Sequence, residues 1–238
     1  SMLNIAHRGA SGYAPENTRA AFDKAIAMHA DWIETDVQMT TDDALVIYHD
    51  AFVDRNSDGR GPVVDHTLAE LRALDLGGWY GADYAGQRLL TVDEMITEYV
   101  GRIPVVFEIK DPRATEPLIR TLAARSVLDR VQVTSFHWYP LVQARAFDAV
   151  VSLGYLTQRD DDDLLDRLVR RGINQLCLHI GQLTAQRVAE AHARGLIIRA
   201  WGIDHPWQIA CLFETDADGA TVNWPDWIPA YASAAPSR

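Results

Sequence analysis

Only two cysteines occur in the 238 residues, Cys177 and Cys211, far apart and each inside an apolar run. That excludes a disulfide framework and reads as two buried free thiols, so no oxidising compartment is required. Positive charge is also scarce: 22 Lys and Arg against 33 Asp and Glu leave a formal net charge of −11. This balance excludes nucleic acid and anionic membrane surfaces as partners, because both repel it. An anionic small molecule stays open if a metal ion and a few placed Arg or Lys attract it locally. No apolar stretch approaches bilayer-spanning length, so stable membrane insertion is excluded. Ser1 ahead of Met2 reads as a cloning remnant, and with Met2 as the start the chain enters a strand at once, without a signal peptide. The expected location is the cytoplasm, and assembly into a homo-oligomer is left open.

What is present is ordinary for a globular protein: 48% hydrophobic and 23% charged residues, enough to bury a large core. Nine apolar segments read as strands, at residues 3–6, 31–37, 45–48, 104–109, 131–134, 150–153, 175–178, 196–200 and 220–222. Helical patterns fall between most of them. Asn17 or Thr18 caps the first, with Ala21, Phe22, Ala25 and Ile26 as its apolar stripe. Thr67 with Glu70, and Thr91 with Glu94, have capping-box spacing. Periodicity weakens over residues 51–90, which reads as an insertion over a site. Its Trp79, Tyr80 and Tyr84 either meet a ligand or pack the insertion onto the body.

Repeated strand–helix units imply a parallel sheet wrapped by helices. No glycine-rich phosphate loop follows the first strand, and polar residues end many strands. Both points favour a distorted TIM-type (β/α)8 barrel, one domain over residues 1–238, with its site at the C-terminal face of the strands. Nine candidates exceed the ideal eight, so one strand lies outside or the barrel is irregular.

Residues 31–37 organise the candidate site. Side chains i and i+2 of a strand share a face, so Glu34 and Asp36 project together and need a cationic partner if buried. Glu108 and Lys110 repeat the spacing at the end of another strand, His7-Arg8 ends the first, and His49-Asp50 follows the third. Four successive early strands ending in ionisable groups would meet at one barrel mouth. Glu34, Asp36 and Glu108 then offer oxygen ligands to one divalent ion, Mg²⁺ or Ca²⁺. His7 and His49 supply a general acid and a general base, while Arg8 and Lys110 hold phosphate oxygens. Asp50 orients His49 or anchors the following loop. The chemistry described is metal-assisted phosphodiester cleavage.

The pieces His7-Arg8-Gly9, Pro15-Glu16-Asn17-Thr18, Glu34-Thr35-Asp36-Val37, His49-Asp50, Glu108-Ile109-Lys110 and Ser135-Phe136 closely resemble the glycerophosphodiester phosphodiesterase family, and the resemblance spans nearly the whole chain. It implies a distorted TIM barrel with a small insertion after the His49 strand, and the same metal, acid–base and phosphate roles. It also implies that Glu16 lies in a loop beside the metal and that Phe136 and Trp201 line a glycerol pocket. The implied enzyme is a phosphoric diester hydrolase of lipid and glycerol metabolism. It acts on a small glycerophosphodiester, gives sn-glycerol 3-phosphate and an alcohol, and takes Mg²⁺, Ca²⁺ or Mn²⁺. The alternatives are cleavage of lysophospholipids on the same barrel, with the insertion aromatics forming an apolar channel, or a catalytically silent binding barrel. Departures from the family pattern are His29 before Ala30-Asp31, Asp42-Asp43 at a turn, and Asn223-Trp224 after the last strand. A left-handed His29 carries a small local cost.

Overall fold

A computed structural model describes residues 1–235. The strands are β1 (Leu3–His7), β2 (Trp32–Met39), β3 (Leu45–Ile47), β4 (Val105–Ile109), β5 (Val131–Ser135), β6 (Ser152–Thr157), β7 (Gln175–His179), β8 (Ile197–Ile203) and β9 (Gly219–Val222). Their order around the sheet is β1-β9-β8-β7-β6-β5-β4-β2, and β2 pairs back onto β1 to close a parallel eight-stranded barrel. The ninth strand, β3, stands outside and pairs antiparallel with β2, Ile47 opposite Val37. Its place follows from the length of β2. The last β2 rung shared with β4 is Val37 with Ile109, so Gln38 and Met39 overshoot the rim and would leave an open edge. β3 covers that edge by running back toward the barrel mouth.

One helix follows each barrel strand. α1 (Arg19–Ala27) follows β1, and α2 (Leu68–Arg72) belongs to the insertion. α3 (Val92–Met95) continues through a π-helical stretch, Ile96–Val100, and buries Val92, Met95, Ile96, Tyr99 and Val100 in the main core. Then come α4 (Thr115–Ala124), α5 (Trp138–Phe147), α6 (Leu164–Arg170), α7 (Ala185–His192), α8 (Ile209–Glu214) and α9 (Trp227–Ala234). Both expected capping boxes form, at α2 and α3. Thr18 caps α1 by accepting from the Ala21 amide, and Asn17 is freed for another task. Among the described residues no helix is long and apolar enough to cross a membrane.

Strand alternation divides the core in two. Ile33, Val37, Val105, Phe107, Ile109, Val131 and Val133 face outward and pack with helix residues such as Phe22, Leu118 and Leu141. The alternate residues face the lumen, and many are polar: Glu34, Asp36, Glu108, Gln132, Thr134 and Arg199 are all buried. Phe22 is fully buried and meets Tyr99 edge-to-face at 5.3 Å. Phe22→Ala is expected to lower stability by about 3–5 kcal/mol, read as a lower urea midpoint with an unchanged slope.

Residues 51–90 build a satellite core, in which Val46 of β3 and Tyr48 just after it pack with Val53, Val63, Leu71, Leu76 and Leu89. The insertion aromatics hold it to the barrel. The Tyr80 hydroxyl donates to Gly12 O and the Tyr84 hydroxyl to Tyr13 O. Two strands differ most from expectation at their ends. β6 was expected over 150–153 but starts at Ser152 and continues through Gly154, where a Cβ would come within 2.9 Å of Thr134 Cγ2 in the lumen. β8 runs on past Ala200 through a register slip before Ile203, with Gly202 at φ +78°. His29 (φ +60°) and Asp43 (φ +62°) do take the left-handed conformation at two of the three departures from the family pattern.

Candidate active site

The ionisable residues meet at the end of the barrel where the parallel strands finish. β1 ends in His7, and Arg8 and Gly9 then turn through left-handed conformations. Only glycine fits the second position, since a Cβ there would lie 2.6 Å from the Ala21 carbonyl carbon of α1. Glu34 and Asp36 come from β2, and Glu108 and Lys110 from the end of β4. His49 arrives differently from the expectation that four strands end alike. β3 is antiparallel, so it delivers His49 downward from above the rim.

A carboxylate oxygen from each of Glu34, Asp36 and Glu108 lies within 4.8 Å of the others, all three side chains being buried. Among the described residues Glu34 Oε1 and Asp36 Oδ1 have no hydrogen-bond partner, while Glu108 Oε1 lies 2.7 Å from Lys110 Nζ. Buried acceptors left without donors cost about 1–3 kcal/mol each. A hard divalent cation would satisfy all three, so the residues present fit such an ion.

Around the triad stand two cations. Arg8 Nε lies 3.6 Å from Asp36 Oδ2, and Lys110 Nζ lies 3.8 Å from Asp36 Oδ1. Asn17, held at φ +55°, donates from Nδ2 to Asp36 Oδ2 at 2.9 Å and accepts from the Thr35 hydroxyl at 2.8 Å. Burial pushes the Asp36 carboxyl up, but Arg8 and then Lys110 outweigh it and hold the group below the usual aspartate range. Glu34 is raised well above its ordinary value by burial and then by Asp36; the same causes push Glu108 up to about 7.

This predicts a pH dependence for the chelated protein. Glu108 binds its proton more tightly folded than at the ordinary value of 4.5, so between 4.5 and about 7 the native state carries more protons than the unfolded chain. Stability therefore falls as pH rises through that window. In chelator, the thermal midpoint should drop between pH 5 and pH 7.5 (roughly the span of that window), and Glu108→Gln should flatten the drop. An equal drop in the variant would reject the assignment to Glu108.

The two histidines have different partners. His7 Nδ1 lies 2.6 Å from Asn223 Oδ1, and its Nε2 lies 3.6 Å from Glu34 Oε2. Burial, then Arg8, pushes His7 down to about 3. His49 Nδ1 lies 2.6 Å from Asp50 Oδ1. Burial also lowers His49, with Asp36 and the Asp50 hydrogen bond working against the drop. Asp50 is itself gripped by Arg55, Nε to Oδ2 at 2.7 Å and Nη2 to Oδ1 at 3.1 Å. Arg55 also lies 2.7 Å from Glu16, whose other oxygen accepts from Arg8 at 2.9 Å. A continuous chain of charges thus runs from Arg8 through Glu16, Arg55 and Asp50 to His49.

These groups open into a cavity of about 500 Å³. Phe136 and Trp201 form one wall, edge-to-face at 5.1 Å, and His179 meets Trp201 at 4.9 Å. Trp79, Tyr80 and Tyr84 do not line it.

The family model for the glycerophosphoryl diester phosphodiesterase family matches residues 7–227. The chain belongs to this family. Relatives include Bacillus subtilis YhdW, 34% identical over 235 residues, which span 95% of this chain and 96% of that protein. The glycerophosphodiester phosphodiesterase of Caldanaerobacter subterraneus subsp. tengcongensis is 32% identical over 233 residues, again covering 95% and 96%. Among solved structures, an Oleispira antarctica phosphodiesterase in complex with the product sn-glycerol-3-phosphate is 29% identical, with a TM-score of 0.87 over 97% of this chain and 96% of that one.

Some residues at this phosphodiesterase family site were not foreseen from the sequence. Of the two cap candidates, Thr18 caps α1, and Asn17 instead holds Asp36. Arg55 lies in the aperiodic insertion and carried no signal. His179 ends β7 as His7 ends β1, so the same strand-end signal would have found it. Arg199 is a lone charge among apolar residues of β8, which marks a lumen-facing position.

Proposed function

We propose that this enzyme hydrolyses glycerophosphodiesters to sn-glycerol 3-phosphate and an alcohol, using one divalent ion held by Glu34, Asp36 and Glu108. The observation that carries this reading is the trio of buried carboxylates within 4.8 Å, two with unpartnered oxygens, flanked by Arg8, Lys110 and two histidines. The product bound to the Oleispira relative supports the substrate class. Mg²⁺ or Ca²⁺, with Mn²⁺ a third fit, suits an all-oxygen ligand set. When bound, the ion supplies Lewis acidity toward a non-bridging phosphate oxygen.

The chain's own groups do the rest. Arg8 and Lys110 hold the remaining phosphate oxygens, and Glu16 fixes the Arg8 fork. His7, neutral and partnered by an amide, takes a proton from the attacking oxygen. His49, whose Nδ1 faces the Asp50 carboxylate, gives a proton to the departing alkoxide. Phe136 and Trp201 wall the glycerol end of the substrate. The two free thiols suit a reducing compartment, and we place the enzyme in the cytoplasm.

The test is release of sn-glycerol 3-phosphate from glycerophosphocholine by the purified protein with Mg²⁺, Mn²⁺ or Ca²⁺. Chelator should stop it and added metal restore it. Turnover of glycerophosphocholine should exceed that of lysophosphatidylcholine, because the insertion aromatics clamp residues 12 and 13 and line no acyl channel. The reverse order would assign a lysophospholipid substrate. Inertness with every metal on a panel of diesters would leave a binding barrel.

A further inference from the structure

Arg199 is 1% exposed, yet it lines the same cavity as the carboxylate trio. Its Nη1 makes a long contact of 3.5 Å with Gln132 Oε1, and among the described residues its Nε has no hydrogen-bond partner. No carboxylate lies within ion-pair distance of it among the described residues. An arginine stays charged at any working pH, and burying that charge without a counter-charge is costly. The sheet register shows where this charge sits. Gln132 pairs with Val106, which pairs with Glu34, and two residues further along each strand Thr134 pairs with Glu108, which pairs with Asp36. Arg199 therefore reaches across the lumen to the tier of Gln132, next to the tier that carries Asp36 and Glu108. Burial raises the Cys177 thiol on the neighbouring strand, with the Arg199 charge working against the rise and Glu108 adding to it.

We propose that Arg199 is the buried counter-charge of the metal site: it weakens the grip of Glu34, Asp36 and Glu108 on the cation and strengthens the hold on the phosphate ester. The inference rests on the metal-dependent reading above. Three carboxylates face three cations, Arg8, Lys110 and Arg199, and of these Arg199 is the one shut off from solvent. With a divalent ion added, the group carries two positive charges, which a dianionic phosphomonoester product neutralises. Without Arg199 the same complex carries a net negative charge. Coulomb interactions among buried groups are poorly screened, so the effect on each ligand follows its sign.

The experiment is calorimetric and needs no turnover. Mn²⁺ is titrated into the metal-free protein, and sn-glycerol 3-phosphate into the Mn²⁺-loaded protein, for wild type, Arg199→Met and Arg199→Lys. Arg199→Met should bind Mn²⁺ about tenfold tighter and sn-glycerol 3-phosphate about tenfold weaker. Arg199→Lys, which keeps the charge, should stay near wild type in both. Should the Met variant fail to fold, Arg199→Gln removes the charge and keeps hydrogen-bonding capacity. Unchanged affinities, two affinities moving in the same direction, or a Lys variant that behaves like the neutral one would each overturn the proposal. A wild type that takes up no metal would instead overturn the reading of the carboxylate trio, and this inference with it.

Discussion

Asp36→Asn is expected to abolish stoichiometric metal uptake and to lower kcat/KM by about a thousandfold, the loss of several kcal/mol of charge stabilisation. The reason lies in how charge is divided within the trio. Burial and then Asp36 raise Glu34 and Glu108 in the metal-free protein, whereas Arg8, Lys110 and the Asn17 amide hold Asp36 low despite its complete burial. Asp36 is thus the ligand that most readily carries its charge when a cation arrives. An amide at that position keeps the shape and can still meet the Asn17 side chain. Removing one of three like charges also lets Glu34 and Glu108 ionise more readily and take over the pairing with Arg8 and Lys110. Folding should therefore survive, and the variant should unfold cooperatively near the wild-type midpoint. A variant with full activity and full metal uptake would end the assignment; one that fails to fold would mean that Asp36 is held for structure.

The second large effect belongs to the histidines. His7→Ala and His49→Ala should each lower kcat by about 10²–10⁴-fold on glycerophosphocholine. A change of leaving group separates their roles. An alcohol leaves only with a proton, whereas p-nitrophenolate leaves without one. With a p-nitrophenyl glycerophosphodiester, His49→Ala should recover most of its loss and His7→Ala should not. The distinction follows from the two partners. Burial and then Arg8 keep His7 neutral against the weak pull of an amide oxygen at 2.6 Å, while a carboxylate at 2.6 Å works toward a protonated His49. Rescue of His7→Ala in place of His49→Ala would exchange the assignments.

Much of this site was legible because strand ends combine a strong pattern with unusual chemistry. An apolar run that stops at His7-Arg8, or at Glu108-Ile109-Lys110, shows both where the strand finishes and which side chains share a face. What the pattern lacks is direction. Residues 45–48 read as one more strand, and nothing in an alternation of apolar residues says that β3 runs antiparallel to β2 and outside the barrel. Nor did the apolar run 150–153 show that the strand would continue through Gly154, which packs against Thr134 in the lumen. Asn17 stayed an alternative to Thr18 as cap because a cap and a left-handed buried hydrogen-bond partner call for the same residue type. Arg55 was invisible for a plainer reason: its two carboxylate partners lie 5 and 39 positions away, in segments that share no periodicity with it.

That arginine has a bearing on how such enzymes can be altered. The segment from 51 to 90 packs on its own small core, so it looks like a cassette that could be exchanged to present new surface around the mouth. It is not an independent cassette, because Arg55 is the clamp that keeps Asp50 against the imidazole of residue 49 and ties Glu16 to the same framework. A graft that omits a guanidinium at this point would leave the barrel standing and its trio assembled, with one proton carrier free to swing. Any transplanted loop has to bring its own fork.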